Sequence, residues 1–176
     1  MKIQGKILAG LAVFGLVAAG PVLAQSTTTA HRMTADSNFI TKAAQGGMAE
    51  VELGQLATTH ASNQSVKDFG QKMVDDHSKA NEELKSIAAK EGVTLPTTVS
   101  AKDQATRDRL SKLNGAEFDR AYMADMVKDH RMDVAEFRRE ADHGTDPDVK
   151  AFAAKTLPTL ENHLKLAETT DSQLKK

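Results

Sequence analysis

From Asp36 onward the chain places its apolar residues at alternating steps of three and four, the repeat of an amphipathic helix. The clearest run is Val66, Phe69, Met73, His77, Ala80, Leu84 and Ile87. No stretch alternates apolar and polar residues as a half-buried strand would, so the chain is expected to be all-α and to bury its apolar stripes helix against helix. None of the 176 residues is a cysteine, which removes disulfides, thiolate metal sites and thiol catalysis together. Stability has to come from the packed core.

The punctuation divides this pattern into four long segments. The first is expected to begin with Asp36 as N-cap and to run to about His60, with Phe39, Ala43, Gly47, Val51 and Gly54 on one face. Gly46, Gly47 and Gly54 each cost about 1 kcal/mol of helix propensity relative to Ala, which points to close approach of a neighbouring helix. The second runs from about Asn63 to Glu91 and stops at Gly92. A longer connection, Val93 to Asn114, contains Leu95-Pro96 and a short helix opened by Ser100, with Asp103 three residues on in the manner of a capping box. The third segment, Gly115 to His143, turns Phe118, Tyr122, Met126, His130, Phe137 and Ala141 inward. Gly144, Asp146 and Pro147 then supply a stop, an N-cap and a first helical proline. The fourth runs from Pro147 to about Thr169 with Val149, Phe152, Thr156, Leu160, His163 and Ala167 inward, and Pro158 should kink it. The predicted architecture is a four-helix bundle with one long crossover containing a short helix, spanning residues 36–170, followed by a polar tail over 171–176.

The first 24 residues have the layout of a secretory signal: Lys2 and Lys6, an apolar run from Ile7 to Ala19, then Pro21 and the small-residue stop at Ala24. Cleavage after Ala24 is expected, with an uncleaved anchor as the alternative. The run falls short of the roughly 20 apolar residues a stable membrane span needs. Residues 25–35, rich in Ser, Thr and Ala, read as a flexible arm. A periplasmic or secreted protein follows. Without the signal, 21 basic residues face 24 acidic ones, a net charge of −3, and no helix carries a basic stripe, so nucleic acid is not an expected partner. Protein partners and oligomeric state leave no mark on the sequence.

Glu50, His77, His130 and His163 fall one each on the apolar faces of the four segments. Short first and last connections make those helix pairs antiparallel, and the long crossover lets the second and third helices run parallel. His77 then lies 14 residues after Asn63 and His130 lies 15 after Gly115, which sets them level. Glu50 and His163 are offset from this level by about four residues, roughly 6 Å at 1.5 Å per residue. One carboxylate and three imidazoles meeting at mid-bundle make a metal cage for Cu or Zn ahead of Fe. The rival reading is a hydrogen-bonded polar layer without metal. Asp76 and Asp129, one residue before each histidine, are expected to flank the site, and Asp133, three residues after His130, is better placed to join it. Met73 and Met126 precede His77 and His130 by four residues; they read as core fillers, with thioether ligation of Cu(I) as the alternative. Glu52 and Glu161 should point to solvent, and His31, His60 and His143 should lie at the surface.

The runs Ala43-Ala44-Gln45-Gly46-Gly47-Met48-Ala49-Glu50-Val51, Met73-Val74-Asp75-Asp76-His77, Met126-Val127-Lys128-Asp129-His130 and Leu157-Pro158-Thr159-Leu160-Glu161-Asn162-His163 resemble an uncharacterised secreted bacterial family of ferritin-like bundles, domain of unknown function 4142. The resemblance covers nearly all of Asp36 to Glu168. It implies a ferritin-like bundle and export, and no particular activity. A di-iron carboxylate centre needs Glu-x-x-His on two helices, whereas Val74, Val127 and Leu160 stand three residues before these histidines. The chain also lacks a phosphate loop and a nucleophile motif. The expected function is therefore metal binding or buffering, or alternatively a non-enzymatic envelope stress or interaction role, with catalysis in third place.

Overall fold

The computed structural model describes residues 23–176, with side chains from Ala35 onward. Apart from its last two residues, the expected signal peptide lies outside the described residues. The fold is all-α: α1 (Leu23–His60), α2 (Gln64–Lys90), the short α3 (Ala101–Leu110), α4 (Gly115–His143) and α5 (Pro147–Leu174). Among the described residues no helix is long and apolar enough to cross a membrane.

Local chemistry sets most boundaries where the punctuation placed them. Asn63 caps α2 by accepting from Ser65 N, Ser100 caps α3 by accepting from Asp103 N, and Asp146 caps α5 by accepting from Asp148 N and Val149 N. Gly92 and Gly115 both take positive φ, at 65° and 60°, where the chain leaves α2 and enters α4.

Two ends differ from expectation. α1 begins at Leu23, so residues 25–35 continue the helix instead of forming an arm, because neither Gly nor Pro interrupts that stretch. Asp36 is consequently not an N-cap. Its carboxylate accepts from Thr145 N at 3.2 Å and Asp146 N at 2.8 Å, tying α1 to the α4–α5 turn. At the other end α5 runs on to Leu174, and Asp171 is buried in what was expected to be tail, with Leu174 packed on the core and Lys175 paired to Asp171. Pro158 lies inside α5, which is one continuous helix.

α1 packs on α2 and α4, and α5 packs on α4 and α2, which puts α2 and α4 on one diagonal. Cross-links fix the directions. Asp119, near the start of α4, accepts from Ser62 N, Ser62 Oγ and Asn63 N in the α1–α2 turn, so α2 and α4 start at the same end. Lys90, at the end of α2, pairs with Asp148, at the start of α5, so those two helices are antiparallel. α3 lies against α1 and α4 within the crossover.

The close approach expected of the glycines holds at Gly54. A Cβ there would sit 2.6 Å from the Gly70 carbonyl of α2, and one on Gly70 would sit 2.6 Å from Ala57 Cβ. Gly47 is crowded by Asn81, whereas a Cβ on Gly46 would meet nothing within 4 Å.

The apolar interior comes in two clusters. One gathers Leu53, Ala57, Phe69, Met73, Phe118, Tyr122 and Met126; the other gathers Phe39, Ile40, Leu84, Ile87, Val149 and Phe152. In the sequence of each long helix, one of Glu50, His77, His130 and His163 falls between these two sets.

Candidate metal centre

α2, α4 and α5 each bring one histidine to the level between the clusters, because each carries it in register with its apolar stripe. His77, His130 and His163 are all buried, with ring centroids 6.0, 5.5 and 5.4 Å apart. Phe69, from the neighbouring cluster, presents its ring to His130 and His163 at 6.1 and 6.4 Å. One ligating nitrogen from each histidine lies within 4.8 Å of the other two.

Hydrogen bonding decides which nitrogens are free. His130 Nδ1 is 3.0 Å from the Met126 carbonyl, which can only accept, so Nδ1 carries the proton and Nε2 keeps its lone pair. His163 Nε2 is 2.9 Å from Asp76 Oδ2, which places the proton on Nε2 and frees Nδ1. Asp76 is held in turn by Lys72, also at 2.9 Å. His77 Nε2, His130 Nε2 and His163 Nδ1 are buried and have no hydrogen-bond partner. Clustered imidazoles, two of them held by a carboxylate or a backbone carbonyl and each keeping one bare nitrogen, have the donor chemistry of a transition-metal site.

The electrostatics keep these rings neutral. Burial, reinforced by the neighbouring imidazoles, pushes His77 down to about 3. Burial lowers His163 to about 4 against the opposing pull of Asp76, and lowers His130 as well. His77 and His163 therefore keep lone pairs well into acid.

Glu50, expected as the fourth member of one cage, belongs to a second group. The described residues form two triads, His77–His130–His163 and Glu50–His130–Asp133, with His130 common to both. Glu50 Oε1 lies 3.9 Å from His130 Nδ1. Burial and the nearby Asp129 raise Glu50 well above the ordinary carboxylate range, and burial with Glu50 pushes Asp133 up to about 8.

The flanking acids divide by what they touch. Asp76 supports His163 from outside the ring, and Asp129 pairs with Lys102 at 3.4 Å. Glu52 pairs with Arg107 and Glu161 with Arg138, both away from the interior. Met73 and Met126 are fully buried in the apolar cluster. His143 is exposed, but His60, expected at the surface, is half-buried and bonds the Leu113 carbonyl at 2.9 Å. The side chain of His31 lies outside the described residues. The Tyr122 hydroxyl was not anticipated: it is buried without a partner, and burial with the charge of Glu50 nearby drives its pKa well up. Its inward position was legible, but the lack of any partner for its oxygen was not.

Several proteins share this fold. The structure of a DUF305 fragment from Deinococcus radiodurans superposes with a TM-score of 0.70 at 14% identity, covering 79% of this chain and 96% of that one. A putative secreted DUF305 protein from Streptomyces coelicolor gives 0.69 at 14% identity, over 80% of this chain and 92% of the other. A structure described as CopM in the Cu(I)-bound form gives 0.64 at 15% identity, over 76% and 93%. At such identities the likeness carries the fold alone. No curated protein matches the sequence. The profile described as "Domain of unknown function (DUF4142)" matches residues 21–170, and the chain belongs to that family.

Proposed function

We propose that the protein is an exported metal-binding or metal-buffering bundle that holds one Cu or Zn ion at His77, His130 and His163. The observation that carries this reading is that three buried histidines each bring a ring nitrogen within 4.8 Å of the other two and each keep one buried nitrogen without a partner, two of these fixed as lone-pair donors by a bond to the other ring nitrogen. Leaving such groups unsatisfied costs about 1–3 kcal/mol each, and a bound cation removes that cost. Glu50, near His130, adds negative charge to balance the ion. Three neutral imidazoles suit Zn(II) and both oxidation states of copper. The likeness to a bundle solved with Cu(I) supports the copper arm.

Binding is favoured over catalysis by the space available. The cleft that reaches His77 has a volume of about 30 Å³, which suits an ion and its waters better than an organic substrate. The signal-like first 24 residues, and the secreted description of a structural neighbour, support export to the periplasm or beyond.

The test is titration of chelator-stripped protein with Zn(II) and with Cu(I) under reducing conditions. One tight equivalent and a raised melting temperature are expected, and both should be lost in His130→Gln. Failure to gain either on both ions would overturn the proposal and leave the residues as a polar layer that specifies the fold.

A further inference from the structure

The carboxylate of Glu50 is buried, 1% exposed, without a hydrogen-bond partner on either oxygen. A neutral Glu50 would need an acceptor for its proton and an ionised one would need a donor or a cation; the described residues offer neither within hydrogen-bonding distance. The Tyr122 hydroxyl, equally buried, is also without a partner. Asp133 brings a second carboxylate to this spot, and one ligand atom from each of Glu50, His130 and Asp133 lies within 4.8 Å of the others. Two carboxylates this close repel unless a proton or a cation lies between them. The lysines on this face are engaged elsewhere, Lys102 with Asp129 at 3.4 Å and Lys42 with Glu136 at 3.5 Å.

We propose that Glu50 and Asp133, beside His130, form a second cation site that takes a hard divalent ion such as Mn(II). His130 has a single lone pair, at Nε2, because its Nδ1 donates to Met126. The three-histidine group uses that lone pair, so the second ion is held by carboxylate oxygens with water completing its shell. Oxygen donors of this kind select Mn(II) or Mg(II) over the softer ions that imidazoles favour. The two positions therefore differ in chemistry although they adjoin. One narrow cleft serves both: it is lined by Gly46, Gly47, Glu136 and Leu160 and reaches His77 and Asp133. Gly46 keeps its outer part clear, since even a Cβ there would touch nothing. The site adjoins the three-histidine group at His130 but takes no ligand from that residue, and it does not depend on the copper or zinc reading.

The experiment uses the full mature chain, stripped with chelator and loaded with one equivalent of Zn(II), then titrated with Mn(II) and followed by the loss of the free-ion EPR signal. One Mn(II) should bind per chain. Its affinity should weaken by at least about tenfold in Glu50→Gln and in Asp133→Asn, with both variants checked for native helicity, while the double variant His77→Gln/His163→Gln should lose Zn(II) and keep Mn(II). Absence of saturable Mn(II) binding in the wild type, or binding unchanged in a folded Glu50→Gln or Asp133→Asn protein, overturns the second site. Mn(II) binding that depends on Glu50 in a protein with no tight Zn(II) or Cu(I) supports the second site and defeats the three-histidine reading instead.

Discussion

Asp76 offers the sharpest handle on the three-histidine site, because it touches the site without facing its centre. Its Oδ2 takes the Nε2 proton of His163 at 2.9 Å, and that bond alone leaves Nδ1 as the lone-pair nitrogen. Asp76→Ala removes the acceptor, so His163 can adopt the other tautomer and turn a proton toward the centre. Two losses follow. In metal-free protein a hydrogen bond to a charged group disappears, worth about 1.5–3 kcal/mol. The half-exposed pair with Lys72 adds no more than about 1 kcal/mol. In the metal-binding reaction, loss of a group that orients a ligand from behind costs about 10–100-fold in affinity, or about 1.4–2.7 kcal/mol. Competition for Zn(II) against a chromophoric chelator measures the second loss, in wild type, Asp76→Ala, His163→Gln and the double variant. Because the two residues act through one bond, the Asp76→Ala penalty should vanish in the His163→Gln background. An equal penalty in both backgrounds, or none in the wild type, would refute the tautomer argument.

The glycines of α1 should respond in opposite directions. Gly54→Ala drives a Cβ to 2.6 Å from the Gly70 carbonyl and should destabilise by about 1–3 kcal/mol, whereas Gly46→Ala meets nothing and should stabilise by about 0.5–1 kcal/mol, both read by urea denaturation. Acid should weaken the metal-free protein through His77: with its folded pKa near 3 against 6.5 unfolded, its contribution is intact above pH 6.5 and is lost as pH falls toward 3, at up to about 1.4 kcal/mol per unit. Denaturation of His77→Gln beside wild type should show the difference moving in the variant's favour as pH drops from 7 to 4, and a constant difference would contradict this.

How far the sequence reached depended on the range of the interaction that fixed each feature. Capping by Ser100 and Asp146 was legible, since donor and acceptor lie within three residues. The level of His77 with His130 was legible too, because parallel helices starting at one end can be counted. Asp36 was misread as a cap because its partners, Thr145 and Asp146, lie more than a hundred residues away and no local pattern announces them. The split of the expected cage into two triads has the same origin. Whether Glu50 groups with His77 or with Asp133 depends on helix-to-helix register, which is set by packing such as the Gly54–Gly70 approach, not by periodicity. Asp76 was rightly placed beside the site, but its bond to His163 crosses from α2 to α5.

The polar layer that interrupts the apolar interior also shapes how the bundle comes apart. With its greasy contacts gathered into two separate pools, the molecule has a built-in seam across its waist, and either end can loosen without emptying the other. An ion gripped from three rods at that seam would act as a rivet. It would fuse two weakly linked halves into a single melting unit, so that loading registers as sharper cooperativity and slower amide exchange at the far tips of the helices, well away from any coordinating atom.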